Sequence, residues 1–204
     1  MRLTVSNLCV NRGERQILSG IGFTLSDGEV LVITGKNGAG KSTLLKSLAG
    51  LLASSEGTVE LEGGEEGAGI AEQCHYLGHD NALKPALSVR ENLAFWRDYL
   101  GSPASIEEGL EIVGMSGSID IPVAYLSAGQ KRRIALARML VSRRAIWLAD
   151  EPTAALDQAS SRRFADMVRH HVKGGGMVIA ATHLDLGIKS ARSMNIEARP
   201  EESR

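Results

Sequence analysis

Residues 29–42 read EVLVITGKNGAGKS. A short apolar run stops at Gly35, the pattern of a buried strand in a parallel sheet. The stretch from Gly35 through Lys36, Asn37, Gly38, Ala39, Gly40, Lys41 and Ser42 then fits G-x-x-x-x-G-K-[ST] at every fixed position. No other stretch constrains the chain as much. Strand, glycine turn and helix N-terminus must follow one another, so the fold class is α/β. The glycines let backbone N–H groups curl around phosphates, and the helix adds its positive end. Lys41 neutralises charge on the β- and γ-phosphates, and the Ser42 hydroxyl is a ligand for Mg²⁺. The predicted nucleotide-binding run extends to Thr43.

A second acidic site follows at AIWLADEP, residues 145–152. Asp150 ends the apolar strand, where it can hold Mg²⁺ through water. Glu151 stands one residue further, where a carboxylate can orient and deprotonate an attacking water. An acid at this position favours hydrolysis over mere binding. Residues 126–140 read LSAGQKRRIALARML. A serine and a glycine at a helix start make an anion site from N–H groups and the helix dipole. Two phosphate sites and one nucleotide point to a second site that serves a neighbouring subunit.

The 204 residues fit one domain with an inserted helical subdomain. Stretches 2–10 and 17–25 read as strands about the turn NRGER, an antiparallel β layer. A helix is expected from Lys41 to Leu52, a strand over 57–63 and a polar glycine loop over 63–69. From about 85 to 140 the period turns helical. Ser88 with Glu91 and Ser105 with Glu108 make capping-box patterns. Val89, Leu93, Trp96 and Leu100 share one face, either the insert's core or a contact for a membrane partner. Strands return at 145–150 and 177–182, around a helix over 158–173. Lysine and arginine number 23 against 24 acids, so no basic field favours nucleic acid. The three adjacent cations in QKRR fall on different helix faces, and several are expected to be solvated. The two cysteines, Cys9 and Cys74, fit a reducing compartment rather than a disulfide framework. No apolar stretch reaches the ~18–20 residues needed to cross a bilayer, so a membrane role would run through a partner.

These motifs together resemble the ATP-binding subunit of an ABC transporter, a P-loop NTPase with a parallel core sheet, an antiparallel β subdomain and an inserted helical subdomain. The likeness runs from about residue 2 to about 195, with the insert at about 80–145. LSAGQ resembles the family's signature, with Ala128 where a second glycine is more usual. ALD at 155–157 resembles the D-loop, and His183 in ATHL the switch histidine. The resemblance implies ATP and Mg²⁺ sandwiched between two copies of the chain, head to tail. Ser127, Ala128, Gly129 and Gln130 would then meet the partner's ATP, with Ser127 and Gly129 at its γ-phosphate. Asp157 would couple the two sites, and His183 would hold the attacking water beside Glu151 and Lys41, the catalytic set.

Two positions depart from the family. Near residue 12 it usually carries an aromatic that stacks on adenine; here Arg12 stands there, either stacking its guanidinium on the base or solvated on a turn. At the Q-loop, usually glutamine, this chain has His79, which either replaces that polar contact or makes only a local hydrogen bond. The run HYLGHDNALKPALSVRENLAFW is similar to the CcmA ATPases of cytochrome c maturation. That likeness implies a CcmB-like permease and CcmC- and CcmD-like subunits, at the cytoplasmic face of the inner membrane. It implies an ATPase powering haem handling and haem-chaperone release. Other ABC importers or exporters, and soluble ABC ATPases acting on ribosomes or DNA, share the motifs and remain alternatives. Cys74-His75 lacks the first cysteine of C-x-x-C-H, so direct haem binding by this chain is not expected.

Overall fold

The structure, a computed structural model, describes residues 1–197. Strands β1 (Arg2–Arg12) and β2 (Arg15–Ser26) form a hairpin, followed by β3 (Val30–Thr34) and helix α1 (Lys41–Leu48). Strands β4 (Glu56–Glu62) and β5 (Cys74–Leu77) lead to helices α2 (Val89–Tyr99), α3 (Ile106–Ile112) and α4 (Ala128–Ser142). The chain closes through β6 (Ile146–Asp150), α5 (Gln158–Lys173), β7 (Met177–Ala181) and β8 (Arg192–Asn195). Two sheets result: an antiparallel one in the order β2-β1-β4 and a parallel one in the order β5-β6-β7-β3-β8.

The apolar central strands divide their side chains between two cores by simple alternation. Leu31, Ile33, Ile146, Leu148, Met177 and Ile179 face the antiparallel sheet and α1. Trp147, Ala149, Val178 and Ala180 face the other way, towards α2 to α5. A strand buried on both sides therefore reads as one continuous apolar run. Asp150 ends a parallel strand and Thr182, Gly35 and Gly78 each follow one, at the carboxyl edge where α/β sheets place their ligands.

Several elements differ from the sequence reading. Helix α1 stops at Leu48 rather than Leu52, because Ala49 caps it and Gly50 turns left-handed at φ 70°. The helical stretch breaks into three helices, with two short 3₁₀ turns between α3 and α4. Ser88 forms both bonds of a capping box with Glu91, whereas Ser105 accepts only the Glu108 N–H. Val89 and Leu93 enter the core, while Trp96 is half-buried between Phe95, Tyr99 and the Arg138 guanidinium. Strands β5 and β8 were not expected. The first is four residues long, and the second is a polar edge strand beside β3. Both cysteines are free.

Candidate functional site

The loop between β3 and α1 is built around two glycines, Gly35 and Gly40, that no other residue can replace without movement. Gly35 sits at φ 143°, and a Cβ there would lie 2.3 Å from the Ile196 carbonyl oxygen. Gly40, at φ 100°, would meet the Leu18 side chain at 2.6 Å. Gly38, at φ 81°, faces open space at the loop's crest. The loop is thus seated on β2 at one end and β8 at the other, with its crest clear for a ligand. Lys41 threads back beneath it, its Nζ donating to the carbonyls of Gly35 at 2.8 Å and Lys36 at 3.2 Å. That ammonium is buried, and no carboxylate salt bridge is recorded for it among the described residues. Its uncompensated charge favours an anion over the loop.

An open cleft of about 1220 Å³ runs beside the loop. Ser42, His79 and Asp150 all line it, so three residues from distant parts of the chain share one space. Asp150 is 5% exposed at the end of β6. A hydroxyl and a carboxylate in one cleft are hard oxygen donors, which fit Mg²⁺ better than a soft metal. Tyr76, one strand residue before Leu77, also lines this cleft. Its hydroxyl is buried and makes no hydrogen bond within geometric limits among the described residues, and burial together with the nearby Asp150 carboxylate pushes the phenol up to about 12. Sequence reasoning passed over this phenol. Its signal was there, since alternation along CHYL puts Tyr76 on the face opposite His75.

Glu151 is held on three sides. Its backbone is left-handed at φ 43°, a conformation costly for a side chain bearing Cβ and found where a site over-determines it. Its N–H donates to Ala181 O at 2.8 Å. Thr182 Oγ1 donates to Glu151 Oε2 at 3.1 Å, and His183 Nδ1 lies 3.1 Å from Glu151 Oε1. Residues 151, 182 and 183, separated in sequence, meet where β6 and β7 end side by side. The structure therefore joins Glu151 with His183 and gathers Asp150, Ser42 and His79 into the adjoining cleft. His79 itself is exposed and makes no hydrogen bond among the described residues.

The start of α4 is elsewhere. Ser127 caps it in a capping box: its Oγ accepts the Gln130 N–H at 3.2 Å, and Gln130 Oε1 accepts the Ser127 N–H at 2.8 Å. Among the described residues the Ser127 hydroxyl donates to no acceptor, and the first helical N–H groups at Ala128 and Gly129 have no partner within the helix. Gly129 has a packing reason as well, since a Cβ there would lie 2.9 Å from Ala155 O. Ala155 is itself left-handed at φ 63°, and Asp157 caps α5 through the Ser160 N–H at 2.7 Å. Those bonds hold the Asp157 carboxyl below its ordinary range. None of Ser127 to Gln130 lines the cleft, and neither does Arg12, which is exposed at the β1–β2 turn.

The cations of α4 correct the sequence reading most. Arg132, one of three adjacent cations of which several were expected to be solvated, is 4% exposed. It donates to Gly78 O, Asp150 O, Glu151 O, Pro152 O and Asn81 Oδ1. Arg138 is buried too, bonded to Tyr76 O at 3.1 Å and held down to about 10, chiefly by burial. A helical wheel reads such side chains as surface, because their acceptors are backbone carbonyls of distant segments.

A model described as "ABC transporter" matches residues 18–154. A protein of Mesorhizobium japonicum named cytochrome c biogenesis ATP-binding export protein CcmA is 55% identical over 94% of this chain and 96% of its own length. Its namesakes in Rhodopseudomonas palustris and Brucella abortus are 53% and 51% identical, covering 93% and 95% of this chain and 94% and 90% of their own. Among solved structures, a putative ABC transporter ATP-binding protein of Pyrococcus furiosus superposes with a TM-score of 0.83 at 25% identity, covering 96% of this chain and 98% of that one. A bacterial Atm1-family ABC exporter with ATP bound shares the fold, with a TM-score of 0.83 at 23% identity over 98% of this chain and 38% of that one.

Proposed function

The chain belongs to the ABC transporter ATP-binding family, and we propose that it is the ATP-hydrolysing subunit of a membrane complex in cytochrome c biogenesis that powers haem handling. The single observation that carries the hydrolytic part is the meeting of Glu151 with Thr182 and His183 beside the cleft of Ser42 and Asp150. The names of relatives at 51–55% identity support the biogenesis role.

In this reading the chain is one ATPase domain with a helical insert at about 80–145. The loop from Gly35 to Thr43 wraps the phosphates of ATP, and Lys41 neutralises their β- and γ-oxygens. Ser42 and Asp150 would hold Mg²⁺. When bound, the ion draws charge from the β- and γ-phosphates and favours departure of the leaving oxygen. Glu151 accepts the proton of the attacking water, while Thr182 and His183 fix its two oxygens. Ser127 and Gly129 clamp the γ-phosphate of a second copy's ATP, with Ala128 and Gln130 beside them, and Asp157 couples the sites. His79 would take the polar contact of the Q-loop glutamine, and Arg12 would stack on the base. The partners are a second copy of the chain, a CcmB-like permease and CcmC- and CcmD-like subunits, at the cytoplasmic face of the inner membrane. No helix among the described residues is long and apolar enough to cross a membrane, which fits attachment through that permease.

The test is phosphate release by the purified chain and by Glu151→Gln, each alone and co-expressed with the permease. Activity that needs the permease and disappears in the variant supports this reading. Strong activity without a permease sinks the coupled transporter.

A further inference from the structure

The guanidinium of Arg132 has five N–H donors, and the structure finds an acceptor for each. Nε donates to Pro152 O at 3.1 Å. Nη1 donates to Gly78 O at 2.7 Å and Asn81 Oδ1 at 3.1 Å. Nη2 donates to Asp150 O at 2.8 Å and Glu151 O at 2.7 Å. These acceptors belong to two segments far apart in sequence: the end of β6, which carries both site carboxylates, and the end of β5, which flanks His79. The two carbonyls on Nη2 bracket the left-handed turn at Glu151. A buried cation costs desolvation that an apolar filler would not, so packing alone does not account for it.

The place of Arg132 on α4 gives the clamp a further meaning. Ser127 caps that helix five residues earlier, roughly 7.5 Å along its axis. We propose that Arg132 is a positioning residue for hydrolysis: it fixes the aim of Glu151 and the path of the His79 segment to the seating of α4. Engagement of a partner's γ-phosphate by Ser127 and Gly129 is then felt at the same chain's own Glu151. The second half rests on the head-to-tail dimer of the proposed function. The first half stands on the five bonds alone.

Arg132→Lys keeps the charge but has three donors and no planar fork. Asn81→Ala removes one acceptor and leaves the arginine in place. With folding verified by circular dichroism, both variants are assayed for affinity towards a fluorescent ATP analogue and for kcat and KM. Dimer formation under ATP is followed by light scattering, in the Glu151→Gln background with and without Arg132→Lys. The expected result is affinity and KM within roughly threefold of wild type, dimers in both backgrounds, and kcat lower by about tenfold or more in Arg132→Lys and about threefold in Asn81→Ala. In the dimer, amides of residues 78–82 and of Asp150, Glu151 and Thr153 should exchange faster in Arg132→Lys, a change that lost activity alone would not produce. A folded Arg132→Lys with wild-type kcat overturns the proposal, and so does a fall in kcat matched by an equal loss of affinity. Should Arg132→Lys fail to fold, unchanged kcat in Asn81→Ala overturns it. A Glu151→Gln chain that stays monomeric under saturating ATP overturns the head-to-tail dimer and the γ-phosphate relay; the local positioning role is then decided by kcat alone.

Discussion

His183 Nδ1 approaches Glu151 Oε1 at 3.1 Å from the solvent side, while Thr182 Oγ1 donates to Oε2 at the same distance from within. The two partners differ in burial: His183 is exposed and Thr182 is 1% exposed. Thr182 therefore sets the carboxylate's orientation, and His183 is free to turn towards a phosphate. Glu151→Gln should keep ATP binding and lower phosphate release by about 10²-fold or more, because the proton acceptor is gone. His183→Ala should lower kcat by about tenfold or more with smaller change in affinity. A His183→Ala protein with wild-type turnover would remove the histidine from the mechanism.

Lys41 combines two tasks that a single substitution separates poorly, since its Nζ both holds the loop through Gly35 O and Lys36 O and supplies charge. Lys41→Met should lose hydrolysis altogether and weaken ATP binding by about tenfold or more, as read by equilibrium titration. The loop's glycines predict a graded series in stability. Gly35→Ala drives a methyl into the Ile196 carbonyl, whereas Gly38→Ala meets no atom within 4 Å and pays only for its positive φ. Gly38→Ala should cost about 1 kcal/mol in thermal or denaturant unfolding. Gly35→Ala should cost clearly more, and equal costs would contradict the seating described for the loop.

The parts of the site that local pattern encodes were legible, and those that depend on distant carbonyls were not. The apolar strand ending in Gly35, the strand ending in Asp150 and the cap at Ser127 each follow from a few adjacent residues. Strand β5 escaped because CHYL is short and mixed, and is defined only by pairing with β6. Strand β8 escaped because RSMN is an edge, where polar residues are tolerated. Arg132 and Arg138 escaped for a different reason. A cation on a helix is solvated by default, and only the assembled fold supplies Gly78 O, Glu151 O and Tyr76 O as acceptors.

Arg12 stands exposed at the tip of the β1–β2 hairpin, whose Ile17 and Leu18 pack on Gly40 of the loop. A guanidinium stacks on any base plane and reads little of its edge. GTP should therefore compete for the site within about tenfold of ATP, and Arg12→Tyr should strengthen binding of either nucleotide by less than about tenfold. Competition titrations check both. A strong preference for ATP in the wild-type chain would place base recognition on another residue.

Two buried or half-buried histidines, His75 in the wall of the cleft and His171 outside it, set the acid limit of stability. His171 stacks on Trp147 with ring centroids 3.9 Å apart, and its ring is pushed down to about 4, chiefly by burial. His75, bonded through Nδ1 to Ser142 Oγ at 2.7 Å, is held well below its ordinary value by burial and by the charges of Arg138 and Arg144. In both, the unfolded chain takes up a proton near pH 6.5 that the folded chain refuses until lower pH. The unfolded state thus binds more protons in this window, and stability must fall as pH drops from about 6.5 towards 4. His171 alone accounts for at most roughly 3.5 kcal/mol of that loss, from 6.5 to about 4 at ~1.4 kcal/mol per pH unit. His171→Phe keeps a ring against Trp147 but cannot titrate. Urea unfolding at pH 7 and pH 5 should show a smaller drop for His171→Phe than for the wild-type chain. Equal drops would mean that His171 is already charged in the folded protein, and that its stack on Trp147 does not exclude the proton.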